Sequence, residues 1–151
     1  MADDTLRLDA FIPFRLSVTS NLVSDTIAST YQALFGLSIP EWRLIAVVAE
    51  EEGTTQQLVG RRTRMDKVTV SRATIALVDR GLMERRPHMS DRRSHSLHLT
   101  KSGQELYAAI APKALELERH IFAGFDPAEV AAFSDMLLRV QAATLAVRDD
   151  R

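Results

Sequence analysis

Apolar residues recur at intervals of roughly three to five from about Asp9 to Phe35 (Phe14, Val18, Leu22, Ile27, Tyr31, Leu34), which predicts one long helix. Pro13 suits its first turn, where a missing N–H costs little, and Gly36 is a natural stop. Ser38-Ile-Pro-Glu-Trp then reads as a helix start. Ser38 or Pro40 stands at its entry, and Glu41 sits near the positive end of the dipole. Trp42, Ile45, Ala46 and Ala49 supply its apolar stripe, and Gly53 closes it. Thr54-Thr55 caps a short helix from Gln56 to about Thr63. Asp66 caps the next, which runs to Arg80 with Val70, Ile75, Leu77 and Val78 available for packing, and Gly81 ends it.

The period then changes from helical to two. Leu97 and Leu99 alternate with Ser96 and His98, so Leu82–Arg86 and Ser94–Leu99 are strand candidates joined by the polar segment 87–93. Thr100-Lys-Ser-Gly opens a further helix with the stripe Leu106, Ile110, Ala114, Leu117 and Ile121, and Pro112 should bend or break it. Asp126-Pro127 opens the last helix, where Val130, Phe133, Leu137, Val140, Thr144 and Val147 form a heptad-like seam. Such a stripe must be buried against something. A second copy of the chain is the simplest partner, and packing on the chain's own middle module is the alternative.

A chain of 151 residues is sized for one domain, 1–151. The predicted fold class is mainly α with a small β-hairpin wing. It is a winged helix-turn-helix over about 38–100, flanked by dimerisation helices at about 9–35 and 101–148. No apolar run of membrane-spanning length stands out, and the acidic start Met1-Ala-Asp-Asp is unlike a signal peptide, so a cytoplasmic protein without membrane contact is expected. The chain has no cysteine, which excludes disulfides and thiol redox switching.

Net charge, −1, conceals a polarised chain. Between Arg61 and Arg93 there are ten Lys/Arg against four Asp/Glu, while the remainder holds nine basic against sixteen acidic residues. Concentrated positive charge is what a phosphate-facing surface requires, although an arginine-rich solvated helix face would look the same. Side chains at the start of a recognition helix meet base edges, so Lys67, Thr69, Val70, Ser71 and Arg72 are candidates. Arg72 suits a bidentate contact to guanine, and Val70 or the Thr69 methyl suits thymine, with helix packing the competing role for those two. Thr54 and Thr55, at a helix N-terminus, suit a phosphate oxygen. Arg61, Arg62 and Arg64 suit phosphate contacts or plain solvation.

Five short motifs stand in one order. They are Ile39-Pro-Glu-Trp-Arg43, Asp66-Lys-Val-Thr-Val-Ser-Arg72, Leu77-Val-Asp-Arg-Gly-Leu82, Asp91-Arg-Arg93, and Leu97-His-Leu-Thr100 with Gly103. Together they resemble the MarR family of bacterial transcriptional regulators over about residues 38–107, and the flanking helices resemble that family's dimerisation region. The resemblance implies a homodimer on double-stranded, pseudo-palindromic DNA, most simply a repressor released by a ligand. It also implies that Arg93, with Arg92 beside it, enters the minor groove from the wing. Asp91 would be repelled by phosphate and is better placed to hold the wing's shape through hydrogen bonds.

The resemblance extends, less specifically, to members that respond to hydroxycinnamate-type acids or their coenzyme A thioesters. The candidate lining is Phe14, Arg15, Ser17, Asn21 and Ser24 with Trp42, a mix that can bury an aromatic ring and pair an anion with arginine. Arg15 as a surface ion-pair residue and the serines as helix filler is the competing view. Metal sensing by His88, His95 and His98 is disfavoured, because strand alternation separates His95 from His98 and no cysteine completes a site. No cofactor is expected. Catalysis is disfavoured too: Ser94, His95 and Asp91 adjoin on a polar hairpin without a pocket, and Glu50-Glu51-Glu52 reads as a solvated charge run. A winged helix that binds only proteins is the more serious rival.

Overall fold

The computed structural model describes residues 4–87 and 94–151. A 3-10 turn, Leu8–Ala10, precedes helices α1 (Ile12–Ala28), α2 (Gln32–Phe35), α3 (Ile39–Glu50), α4 (Gln56–Thr63) and α5 (Lys67–Asp79). Strands β1 (Met83–Pro87) and β2 (His95–Leu99) follow, then α6 (Lys101–Ile121) and α7 (Pro127–Asp149). The strands pair antiparallel from Met83 opposite Leu99 to Pro87 opposite His95. This is the expected mainly helical class with one hairpin. The chain divides into two compact units, Met1–Ala114 and Leu115–Arg151.

Short polar side chains set where the helices of the first unit begin. Ser38 Oγ accepts from the Glu41 N–H at 3.2 Å, while Glu41 Oε1 accepts from the Ser38 N–H at 2.9 Å, a reciprocal box opening α3. Thr55 Oγ1 accepts from Leu58 N–H at 3.3 Å to open α4. Thr100 Oγ1 accepts from Gly103 N–H at 3.1 Å and donates to the Gly81 carbonyl at 2.6 Å, which holds the start of α6 to the end of α5.

The core gathers around α3, which packs against α4, α5 and β2. Leu44, Ile45, Val47 and Val48 are all buried. Of the expected stripe only Ile45 is fully buried, and Trp42, Ala46 and Ala49 are half-buried. A helix packed on several sides does not show a single narrow stripe. Val59, Val70, Ala73, Leu77, Met83, Leu97, Leu99 and Ile110 belong to the same cluster, with Ala28, Tyr31, Leu37 and Leu82.

The long first helix is not continuous. It breaks at Ser29–Tyr31, where the Ser29 and Thr30 hydroxyls donate to the carbonyls of Thr26 and Ile27 at 2.6 and 2.7 Å. Such bonds compete with the helical ladder. Of its expected stripe, only Tyr31 is buried and Ile27 half-buried, and Phe14, Val18, Leu22 and Leu34 are exposed. Conversely, α6 runs through Pro112 without ending there.

The α3–α4 connection adds a short backbone ladder to the hairpin. Gly53 N–H donates to Leu97 O at 2.9 Å, and Leu97 N–H donates to Thr54 O at 2.8 Å. Thr54 is thereby drawn in to 6% exposure, and its hydroxyl has no hydrogen-bond partner among the described residues.

In the second unit, α7 follows a turn where Phe122 lies against Phe125 and Phe133, with ring centroids 5.8 and 6.2 Å apart. Phe133, Met136, Leu137, Leu138, Val140 and Val147 are exposed. By length and composition α7 is apolar enough to cross a membrane, with a mean hydropathy of 1.4 in its most apolar window. That corrects the expectation that no such run exists.

Two substitutions test this packing. A Cβ added at Gly103 would collide with the Leu82 carbonyl oxygen, a backbone atom that accepts from Thr100 N–H. Gly103→Ala should therefore cost about 1–3 kcal/mol, the usual range for overpacking, and lower the urea midpoint at unchanged slope. Thr54→Val keeps the shape and removes the orphaned hydroxyl, and should leave the midpoint unchanged or raise it by the equivalent of about 1 kcal/mol. A clear loss of stability would mean that the hydroxyl is satisfied.

Candidate nucleic-acid interface

The basic stretch resolves into two helices joined by a tight turn. Helix α4 ends at Arg64, which adopts φ 61° and ψ 15°. This left-handed conformation costs a non-glycine residue roughly 1–2 kcal/mol and reverses the chain sharply. The turn is held from inside by Thr63, whose hydroxyl donates to Val59 O at 2.7 Å and accepts from Met65 N–H at 3.3 Å. Asp66 then opens α5, accepting from Thr69 N–H at 2.7 Å. That hydrogen bond holds the Asp66 carboxyl below its ordinary range, helped by the nearby Arg72 charge. A depressed carboxylate pKa means that the cap is intact at neutral pH and is lost only as pH falls through the lowered value.

Helix α5 buries Val70, Ala73, Thr74 and Leu77, the i, i+3, i+4, i+7 face that packs on α3. Thr74 enters the core because its hydroxyl donates to Val70 O at 2.8 Å. The opposite face carries Val68, Arg72 and Ile75, all exposed, with Lys67 exposed at the first position.

Two arginines of the basic stretch are committed to holding this frame. Arg62 pairs with Glu50, and with Glu51 at 2.8 Å, tying α4 to the end of α3. Exposed pairs contribute little energy, but this one occupies both the arginine and the glutamates. Arg80 donates to the Phe35 and Gly36 carbonyls at 2.7 and 3.4 Å, fastening the end of α5 to the end of α2. By contrast Arg61, Arg64, Lys67 and Arg72 are exposed and form no ion pair among the described residues.

The expected DNA-facing residues therefore separate. Arg64, Lys67 and Arg72 are open to solvent, and Thr69 and Ser71 are half-buried on the flanks of α5. Val70 is 2% exposed, so it serves the core and has no surface to offer a base. Thr54 is likewise turned inward and its N–H donates to Glu51 O, which removes it as a phosphate contact. Thr55 keeps a half-exposed hydroxyl whose proton remains available while its oxygen caps α4. Asp91, Arg92, Arg93 and His88 lie outside the described residues. Val68, 58% exposed in the first turn of α5, was missed. Its signal was positional, because a core face running through Ala73 and Leu77 puts Val68 on the opposite side.

The base of the wing is well anchored. Ser96 Oγ donates to Arg86 O at 3.3 Å and lies 2.9 Å from His98 Nε2, and His98 Nδ1 lies 3.5 Å from Glu52. No cluster of three or more metal-ligating side chains occurs among the described residues.

The expected effector residues lie in two places. Phe14, Ser17, Asn21 and Ser24 fall on one face of α1 with Arg15 beside it, exposed except for Ser24, which is half-buried. Trp42 belongs instead to a three-ring stack, 5.4 Å from Tyr31 and 5.8 Å from Tyr107. Burial pushes the Tyr31 phenol up, and Asp25 adds to this against Arg43, so it stays a neutral hydroxyl.

Known proteins share this frame. A model described as MarR family matches residues 35–94. An uncharacterized protein of Mycobacterium tuberculosis is 30% identical over 148 residues, 98% of this chain and 99% of its own. A crystal structure of a MarR/EmrR family transcriptional regulator from Acinetobacter superposes with a TM-score of 0.84 at 25% identity, over 92% of this chain and 98% of that one. CouR from Rhodococcus jostii superposes with a TM-score of 0.78 at 20% identity, over 90% and 95%. The capped helix pair, the anchored hairpin and these likenesses agree, and the chain belongs to the MarR family of winged-helix transcriptional regulators.

Proposed function

We propose that this protein is a cytoplasmic, ligand-released repressor that binds a pseudo-palindromic DNA operator as a homodimer. The observation that carries the reading is the division of α5. One face is locked into the core by Val70, Ala73, Thr74 and Leu77, and the other presents Arg72 to solvent, with Lys67 exposed at the first position of the helix. Arg72 reads guanine through O6 and N7, Lys67 and Arg64 contact phosphates, and Thr55 donates from the start of α4. Arg92 and Arg93 of the wing reach the minor groove, and Asp91 steadies the wing.

Dimerisation through the terminal helices, about 9–35 and 101–148, is supported by the exposed apolar residues of α7. A bilayer is a poorer occupant for that surface. Asp135 and Arg139 stand near the middle of α7, and each costs roughly 2.5–3.5 kcal/mol at a bilayer centre. They lie four residues apart, a spacing that suits a helix pair in water.

The effector is a small aromatic acid or its coenzyme A thioester. CouR, which shares the fold, is described as bound to p-coumaroyl-CoA, and PcaV from Streptomyces coelicolor as in complex with its natural ligand. In this chain Phe14, Ser17, Asn21 and Ser24 on α1 offer a face of mixed polarity, Arg15 a cation and Trp42 an aromatic surface. Release of operator DNA by p-coumaric acid or p-coumaroyl-CoA in a gel shift checks this, and failure of the whole class rejects the effector while leaving DNA binding standing.

Four outcomes test the rest. Arg72→Ala should reduce the preference for operator over scrambled DNA, by a factor corresponding to about 1–3 kcal/mol. Arg93→Ala should weaken both alike and lower the salt slope by about one. An unchanged operator preference in Arg72→Ala removes that residue from base readout. In sedimentation equilibrium the protein should have twice the 16.9 kDa chain mass, and Leu137→Asp with Val140→Asp should reduce it to one chain. A wild-type monomer contradicts the homodimer.

A further inference from the structure

The first turn of α5 exposes an apolar side chain that packing does not use. Taking 100° per residue from Val70, which points into the core, Val68, Arg72 and Ile75 fall on the far side. Val68 is 58% and Ile75 49% exposed. Valine is a poorer helix former than lysine or glutamine, and its stiff side chain gains nothing from water. Around it the exposed cations Lys67, Arg72 and Arg64 outnumber the one carboxylate, Asp66, which is taken up in capping the helix. A partner matching this surface needs anionic groups, hydrogen-bond acceptors and a small apolar group within a few ångström. The major groove has all three: phosphates, the O6 and N7 of guanine, and the 5-methyl of thymine.

We propose that Val68 determines specificity by packing on a thymine methyl in each half-site, with Arg72 reading a guanine within two base pairs of it. The inference rests on the DNA-binding reading above and sharpens it. Residues four apart on a helix have Cβ atoms about 5–6 Å apart, and stacked bases on one strand are about 3.4 Å apart. The two side chains therefore meet adjacent or next-adjacent bases. Of the other methyl-bearing residues, Val70 is in the core, Thr69 is half-buried beside the Asp66 cap to which its N–H donates, and Ile75, though exposed, stands about two turns further from the helix start.

The test isolates the methyl group. Duplexes are selected from a random pool with the wild-type protein, and affinity is measured after replacing each thymine in turn by deoxyuridine, which removes only the 5-methyl. One thymine per half-site, within two base pairs of a guanine, should lose about four-fold in affinity, the value of one buried methyl-sized group. Val68→Ala should bind the thymine duplex more weakly by a similar factor and show no further loss with uracil. At this exposed position alanine, the better helix former, leaves melting unchanged or slightly raised, which checks the fold. Uracil sensitivity that is absent in the wild type, or undiminished in Val68→Ala, overturns the inference alone. A pool with no enriched sequence overturns the DNA-binding reading and this inference together.

Discussion

The rotation of α5 about its own axis is the constraint on which the rest depends. Val70, Ala73, Thr74 and Leu77 are all buried against the α3 side of the core. Turning the helix by one residue would expose several of them, at roughly 25 cal/mol per Å² of apolar surface, and would draw the charged face inward. Burial of one face therefore dictates the residues that a partner meets on the other. The caps give this constraint sharp ends. Asp66 fixes where the helix begins, and Arg80 fastens its end to the carbonyls of Phe35 and Gly36.

Around that helix the chain spends polar groups on geometry. Arg62 clasps Glu50 and Glu51, Thr63 holds the α4–α5 turn, and the Gly53–Thr54 backbone pairs with Leu97 at the base of the hairpin. None of these bonds is strong by itself. Together they hold the two helices and the hairpin in one frame, so the cations that remain unpaired are presented as a group. In a chain of net charge −1, Glu50 and Glu51 neutralise Arg62 and backbone carbonyls hold Arg80, while Arg61, Arg64, Lys67 and Arg72 stay exposed without an ion pair among the described residues.

Much of the first unit was legible because its signals are local. Ser38, Thr55 and Asp66 announce their helices within three residues, and α4 spans the predicted Gln56–Thr63. Leu97 and Leu99 announce the strand by alternation. What failed required contacts distant in sequence. Choosing between Val68 and Val70 needs the core that rotates α5. Recognising Thr54 as buried needs the Leu97 ladder, and assigning Arg62 and Arg80 to structure needs partners 11 to 45 residues away. The terminal helices were legible as helices, but what covers their apolar stripes was not, because residues such as Leu22 and Leu137 are exposed rather than packed on the chain's own core.

The central claim is geometric: two copies of the α5 face meet one duplex on the same side. Hydroxyl-radical footprinting of the wild-type protein on its selected duplex tests it most directly. The account predicts two protected regions related by two-fold symmetry, with half-site centres about one helical turn, 10–10.5 base pairs, apart. A single short protected patch, or protection without symmetry, would contradict it.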